Sequence, residues 1–347
     1  MAKLTSTERV MLALKRQEPD RVPHFEWLVN PRVRQALLPG CKTHHEFAVK
    51  MGHDAILVGP HFKKEQLGPD KFLSEWGFTF EYGLEEHGVE IEAECPIKTM
   101  ADFKNFTPPD LDAPGRYDEI EWAVREFKGD KAIGVHLNDV FSLPRYLMGM
   151  KTLLMAIVLE PELVKAMVDM SVEYNLAMAR RIAKMGVDFV HTGDDIAYNK
   201  GLFMSRQHFE ELFYPGFRRV MGGFKELGFM VIKHTDGNLW KIMDLLVESG
   251  IDCLDPIDPL AGMDLGEVKE KVGNRLALKG NVDCTHLLSF DEPEAVVEAT
   301  KKALRQGMPG GGYILSSSNS IHASVKPENY QAMMDTLKEY GHYPMSL

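Results

Sequence analysis

Residues 231–238 read Val-Ile-Lys-His-Thr-Asp-Gly-Asn, a short apolar run that stops in histidine, aspartate and glycine. In a strand, side chains two apart share a face, so His234 and Asp236 point the same way at its C-terminal end. An imidazole nitrogen and a carboxylate oxygen placed like this suit zinc or proton transfer. A His-x-Asp pair also serves as a plain hydrogen-bonded pair, and without a third partner the spacing does not choose. Three more pairs repeat that spacing after other apolar runs: His24 with Glu26, His136 with Asn138, and Asn281 with Asp283. His191 with Asp194 and Asp195, Asp255 with Asp258, and Asn319 with His322 follow further runs. Glu26 stands inside an apolar run, where a carboxylate is costly to bury without a partner.

The elements that must position these residues follow a regular rhythm. Thr5 and Glu8 form a capping-box pattern ahead of an apolar helix that stops before Pro19. Eight short apolar runs follow, near residues 21–29, 54–59, 131–137, 188–191, 231–234, 251–254, 275–280 and 312–315, mostly separated by helical segments. This alternation specifies a parallel sheet. Eight repeats without a Gly-x-Gly-x-x-Gly turn predict an α/β fold, the (β/α)8 TIM barrel, as a single domain over residues 1–347. A doubly wound open sheet is the runner-up. Residues 72–97 break the rhythm with period-two alternation around residues 85–88, which predicts an inserted antiparallel β-hairpin.

In a barrel the strand C-termini converge on one mouth, where several imidazoles and carboxylates would shift each other's titration. That weights His191, His234, Asp236 and Glu26 towards metal or proton chemistry. Aspartate before proline or glycine is ordinary turn chemistry, and Asp252, Asp255 and Asp258 are read that way. Asp194 and Asp195 either cap the next segment or line the pocket.

The net charge is -11, with no long basic block, which argues against nucleic acid as a partner. Four cysteines, Cys41, Cys95, Cys253 and Cys284, show no C-x-x-C spacing and so no zinc ribbon or redox motif. No run approaches the roughly 18 apolar residues of a membrane span, and the first residues lack an apolar leader. A reduced, cytoplasmic protein with no membrane partner is expected.

At residues 193–197, 231–238, 276–283 and 312–322 the chain resembles the uroporphyrinogen decarboxylase superfamily, which also contains zinc-dependent corrinoid:thiol methyltransferases. The likeness runs from residues 7–15 and 20–23 to 327–329. The decarboxylase branch has Arg-Gln-Ala-Gly-Arg after its first strand and Gly-His-Gly after its last. This chain has His24-Phe-Glu-Trp-Leu-Val-Asn30 and Ser318-Asn-Ser320 there, so Glu26 would repel a polycarboxylate. The thiol-methylating branch has His-x-Cys-Gly where this chain has His234-Thr-Asp-Gly237, and a second cysteine near Asn319.

The resemblance therefore implies a metal site keeping His234, with Asp236 in place of a thiolate and Glu26 and His322 as further ligands. Oxygen and nitrogen ligands leave zinc harder and suited to an oxygen leaving group. The expected activity is transfer of a methyl group from a small methyl donor, a methoxylated aromatic, to the Co(I) corrinoid of a partner protein. Asp194, Asp195, His191 and Asp283 are the expected catalytic residues. Glu26, His136, Asn138, Asn281 and Asn319 are the expected substrate contacts. The chain has no Asp-x-His-x-x-Gly cobalamin motif, hence the partner corrinoid protein. The alternative is a metal-independent decarboxylase or lyase, marked by arginines in the pocket, for which Arg145 and Arg206 are candidates. The oligomeric state is open, with a homodimer compatible.

Overall fold

The computed structural model describes residues 4–81, 91–193 and 195–346. Seven strands form one parallel sheet in sequence order: β1 (Ala55–Val58), β2 (Ala132–Leu137), β3 (Phe189–Gly193), β4 (Met230–His234), β5 (Cys253–Asp255), β6 (Ala277–Val282) and β7 (Tyr313–Ser317). Every neighbouring pair is parallel. The eighth expected strand is not one. Residues 22–29 touch β7 through isolated parallel bridges at His24–Leu315 and Val29–Ile321. Leu315 N donates to Pro23 O (3.0 Å) and Asp54 N to His24 O (2.7 Å), so this segment joins both edges of a curled, TIM-barrel-like sheet. Pro23 has no N–H to donate, which keeps the contact from growing into a ladder.

The interior follows strand parity. Leu57, Ala132, Phe189, Ile232, Cys253, Ala277 and Ile314 pack with Val10, Ala13 and Leu14 of the N-terminal helix, which starts at the Thr5–Glu8 capping box. Two residues further along their strands come His191, His234, Asp255 and Lys279, so an apolar layer carries a polar one above it. Gly134 belongs to this packing: a Cβ there would lie 2.3 Å from the Phe189 ring.

Residues beyond β1 form a four-stranded antiparallel sheet, Lys64–Gln66, Lys71–Ser74, Thr79–Glu81 and Ile91–Glu94. The excursion thus takes in two strands more than the expected hairpin, whose turn at 85–88 lies outside the described residues. No single helix among the described residues is long and apolar enough to cross a membrane. Ser142–Met148 and Met150–Leu159 pass that test only as a pair, bent by 104°.

The seam also holds a buried hydrogen-bond chain. His53 Nε2 donates to the Tyr330 hydroxyl (2.9 Å), the hydroxyl donates to His24 Nε2 (3.3 Å), and His24 Nδ1 donates to Leu315 O (3.0 Å). Burial holds His24 down to about 4 and His53 well below its usual range. Both are neutral in the fold but titrate near 6.5 in the unfolded chain. Their contribution to stability is present above about 6.5 and is lost as pH falls towards 4. The Tm should therefore drop between pH 7 and 5, and drop less in His53→Gln; parallel curves would contradict this.

Candidate active site

Asp255 is the hub of the polar layer. It is buried, and its Oδ1 accepts from Lys279 Nζ (2.8 Å). Its Oδ2 accepts from His191 Nε2 (2.9 Å) and His234 Nδ1 (3.1 Å). Burial would raise this carboxyl, but the Lys279 charge and the two imidazole donors hold it well below the carboxylate range. The β4–β5 register sets His234 beside Asp255, and β3 sets Gly193 on the other side.

The two imidazoles around Asp255 differ. Burial pulls His191 down to about 4 despite Asp255, so it is neutral. With Nε2–H given to Asp255, its Nδ1 is the acceptor for His136 Nδ1, 3.2 Å away. Neutral His136, also held well below its usual range by burial, then keeps Nε2 as its unprotonated nitrogen. Trp27 covers both rings, 4.0 Å from His136 and 5.0 Å from His191 between centroids. Burial works against a charge on His234 too, but the Asp255 hydrogen bond and the Asp236 and Asp195 charges override it and raise it to about 9.

His234 Nε2 faces Asp195 Oδ1 and Asp236 Oδ1, each at 3.8 Å. These three atoms lie within 4.8 Å of one another. Such gaps exceed a hydrogen bond and approach the roughly 3.4 Å between two ligands of a tetrahedral zinc. Asp236 Oδ1 is buried with no hydrogen-bond partner. Asp236 Oδ2 accepts from Asn319 Nδ2, and Asp236 N donates to Asp195 Oδ1 (3.0 Å). Burial, with repulsion from Asp195, Asp258 and Asp255, pushes the Asp236 carboxyl up to about 7 against the pull of His234. An orphaned oxygen, two carboxylates and an imidazole whose far nitrogen is held by Asp255 fit a divalent cation. His191, His234 and Asp255 form a second group of that spacing, but Asp255 already serves three donors.

Glu26 lines the same cavity of about 210 Å3. It is buried; Oε1 accepts from Ser317 N (3.0 Å) and Oε2 from Ser317 Oγ (2.7 Å). Burial pushes its carboxyl up to about 7, while Lys279 and Ser317 pull the other way.

Of the residues singled out in the sequence, the cavity gathers Glu26, His136, Asn138, His191, Asp195, His234, Asp236 and Asn319. Asp194 lies outside the described residues. Asn281 and Asp283 do not join: they line a separate cavity, where Asp283 caps a turn by accepting from Thr285 N (2.8 Å) and His286 N (3.2 Å). His322 does not join either, because its Nε2 donates to Cys284 O (3.2 Å) and its Nδ1 accepts from Ser324 N. The turn reading of Asp255 needs correcting, since β5 extends to include it and turns it inward. Lys279 was missed; the signal was parity, Ala277 then Lys279 within one strand, as Cys253 precedes Asp255.

The sequence profile of the uroporphyrinogen decarboxylase (URO-D) family matches residues 73–340. A methylcobamide:CoM methyltransferase of Methanosarcina acetivorans is 25% identical over 355 residues, covering 98% of this chain and 99% of that protein. A uroporphyrinogen decarboxylase of Alkalilimnicola ehrlichii is 23% identical over 263 residues, covering 70% of this chain and 67% of the other. The solved structure of a methyltransferase from Methanosarcina mazei superposes with a TM-score of 0.71 at 16% identity, over 97% of this chain and 99% of that one, which is a likeness of fold. With the family profile spanning most of the barrel and the polar mouth just described, the chain belongs to the uroporphyrinogen decarboxylase family.

Proposed function

We propose that this protein transfers a methyl group from a methoxylated aromatic to the Co(I) corrinoid of a partner protein, using a zinc held by His234, Asp236 and Asp195. The observation that carries the reading is the orphaned, buried Asp236 Oδ1 facing His234 Nε2 and Asp195 Oδ1. The relative named as a methylcobamide:CoM methyltransferase supports corrinoid-linked methyl transfer. Bound at those atoms, zinc would supply a Lewis acid to the ether oxygen.

The chain's own residues do the rest. Asp255 fixes His234 by accepting from Nδ1, which leaves Nε2 as the nitrogen that would hold zinc in place of its proton. Asn319 fixes Asp236 through its other oxygen. As the methyl carbon passes to the acceptor and its bond to oxygen breaks, the departing phenolate takes the proton of Glu26. A carboxyl near 7 is matched to that task at neutral pH. Trp27 and Tyr146 give the mouth an aromatic wall.

Decarboxylation of a polycarboxylate fits less well. Lys279 is the sole lysine or arginine lining this cavity among the described residues, and Asp255 holds it. Arg206 is bound to Asp244 and Glu210 at the surface, and Arg145 stacks on Tyr146 in an adjoining cavity.

Metal analysis tests the reading. About one zinc per chain is expected in the purified or zinc-supplemented protein, and none in a folded His234→Ala/Asp236→Ala double variant. Full zinc in the variant, or none in the zinc-supplemented parent, would refute the proposed site.

A further inference from the structure

The polar cavity has a larger neighbour. A space of about 470 Å3 lies beside it, and the two meet at Trp27, His136 and Asn138, which line both. The other walls are largely apolar, including Leu57, Phe62, Trp76, Leu143 and Met178. Trp76 stands 5.6 Å from Phe62 and 4.7 Å from Tyr174 between ring centroids, so three packed rings form one wall of the chamber. The volume suits a small ligand and exceeds the roughly 150 Å3 that admits benzene.

The charges of this chamber restrict what enters. Its ionisable liners are His44, His45, Glu119, Tyr174 and the shared His136, with no lysine or arginine among the described residues. Glu119 Oε1 stands 3.8 Å from His45 Nε2, with its side chain about half exposed. A carboxylate on an entering ring would leave water for an apolar space that holds an acidic residue and no fixed cation, so it would be rejected.

We propose that this chamber binds the ring of a neutral aryl methyl ether and directs its methoxy group across the Trp27–His136–Asn138 boundary into the polar cavity. The fate of the methoxy group rests on the methyl-transfer reading; the binding of the ring rests on the chamber alone. The substrate class narrows accordingly, to uncharged methoxybenzenes and methoxyphenols rather than methoxybenzoates.

Calorimetric titration with 1,2-dimethoxybenzene and with 3-methoxybenzoate at pH 7.5 tests this on the whole zinc-supplemented chain. Two variants fill the chamber from different walls. In Gly59→Leu, a Cβ meets only His136 O, at 3.8 Å, and the backbone needs no positive φ. In Met178→Phe, the new ring projects from the helix Pro161–Ile182. The parent should bind the neutral ether at least tenfold tighter than the carboxylate. Each variant that melts like the parent should lose at least tenfold in affinity for the ether while keeping its zinc. Equal or tighter binding of 3-methoxybenzoate, or parent-like ether binding in both folded variants, would overturn the chamber. Ring binding that obeys these rules without phenol release would refute methyl transfer and leave the chamber standing. Phenol release unchanged in both variants would do the reverse.

Discussion

Asp255→Asn should be the most damaging single substitution in the mouth of this protein. The carboxylate accepts from Lys279 on one oxygen and from His191 and His234 on the other. Asparagine offers one oxygen and an NH2, so whichever way it turns, a donor faces a donor. Lys279 is 3% exposed, and its buried charge would lose the carboxylate it is paired with. Breaking a buried pair this way costs about 3–5 kcal/mol. The same change releases His234 Nδ1, and loss of such an outer partner typically lowers metal affinity by about 10–100-fold. Denaturant unfolding and zinc titration check both numbers. Asp335→Asn is the control, since Asp335 is exposed and accepts from Gln331 Nε2 far from the mouth. A parent-like Asp255→Asn in both measurements would contradict the hub.

Much of this arrangement was legible in the sequence where period two and a strand end coincide. His234 and Asp236 were visible as a pair because their spacing alone puts them on one side. Asp255 was hidden by its neighbour: followed by Pro256, it has the signature of a turn, and only the β4–β5 register reveals that it sits beside His234. Lys279 was hidden for a different reason. An amine within an apolar strand is too costly to place inside unless paired, and its partner lies 24 residues upstream. The sequence also favoured a full first strand at residues 21–29, where Pro23 leaves bridges in place of a ladder. Asp283 and His322 matched expected strand ends, yet nearby backbone groups claim them both. A strand-end position therefore marks a residue as able to reach the mouth, and local hydrogen bonding decides whether it does.

The second large effect concerns turnover. Asp236 holds the orphaned oxygen at the centre of the proposed metal site, so removing it takes away one of three ligands. In Asp236→Ala, methyl transfer should fall at least about 100-fold, a loss of about 2.7 kcal/mol of transition-state stabilisation. Asn319→Ala, which frees the other oxygen of Asp236 and removes the acceptor of Ser320 N but takes away no proposed ligand, should cost less than the alanine at 236.

The most direct measurement uses free Co(I) cobalamin in place of the partner's corrinoid, with zinc-loaded protein and 1,2-dimethoxybenzene. Loss of the Co(I) absorbance should proceed with equimolar release of 2-methoxyphenol, and Asp236→Ala should suppress both. No phenol release with the folded, zinc-loaded parent, or an equal rate in Asp236→Ala, would contradict the account.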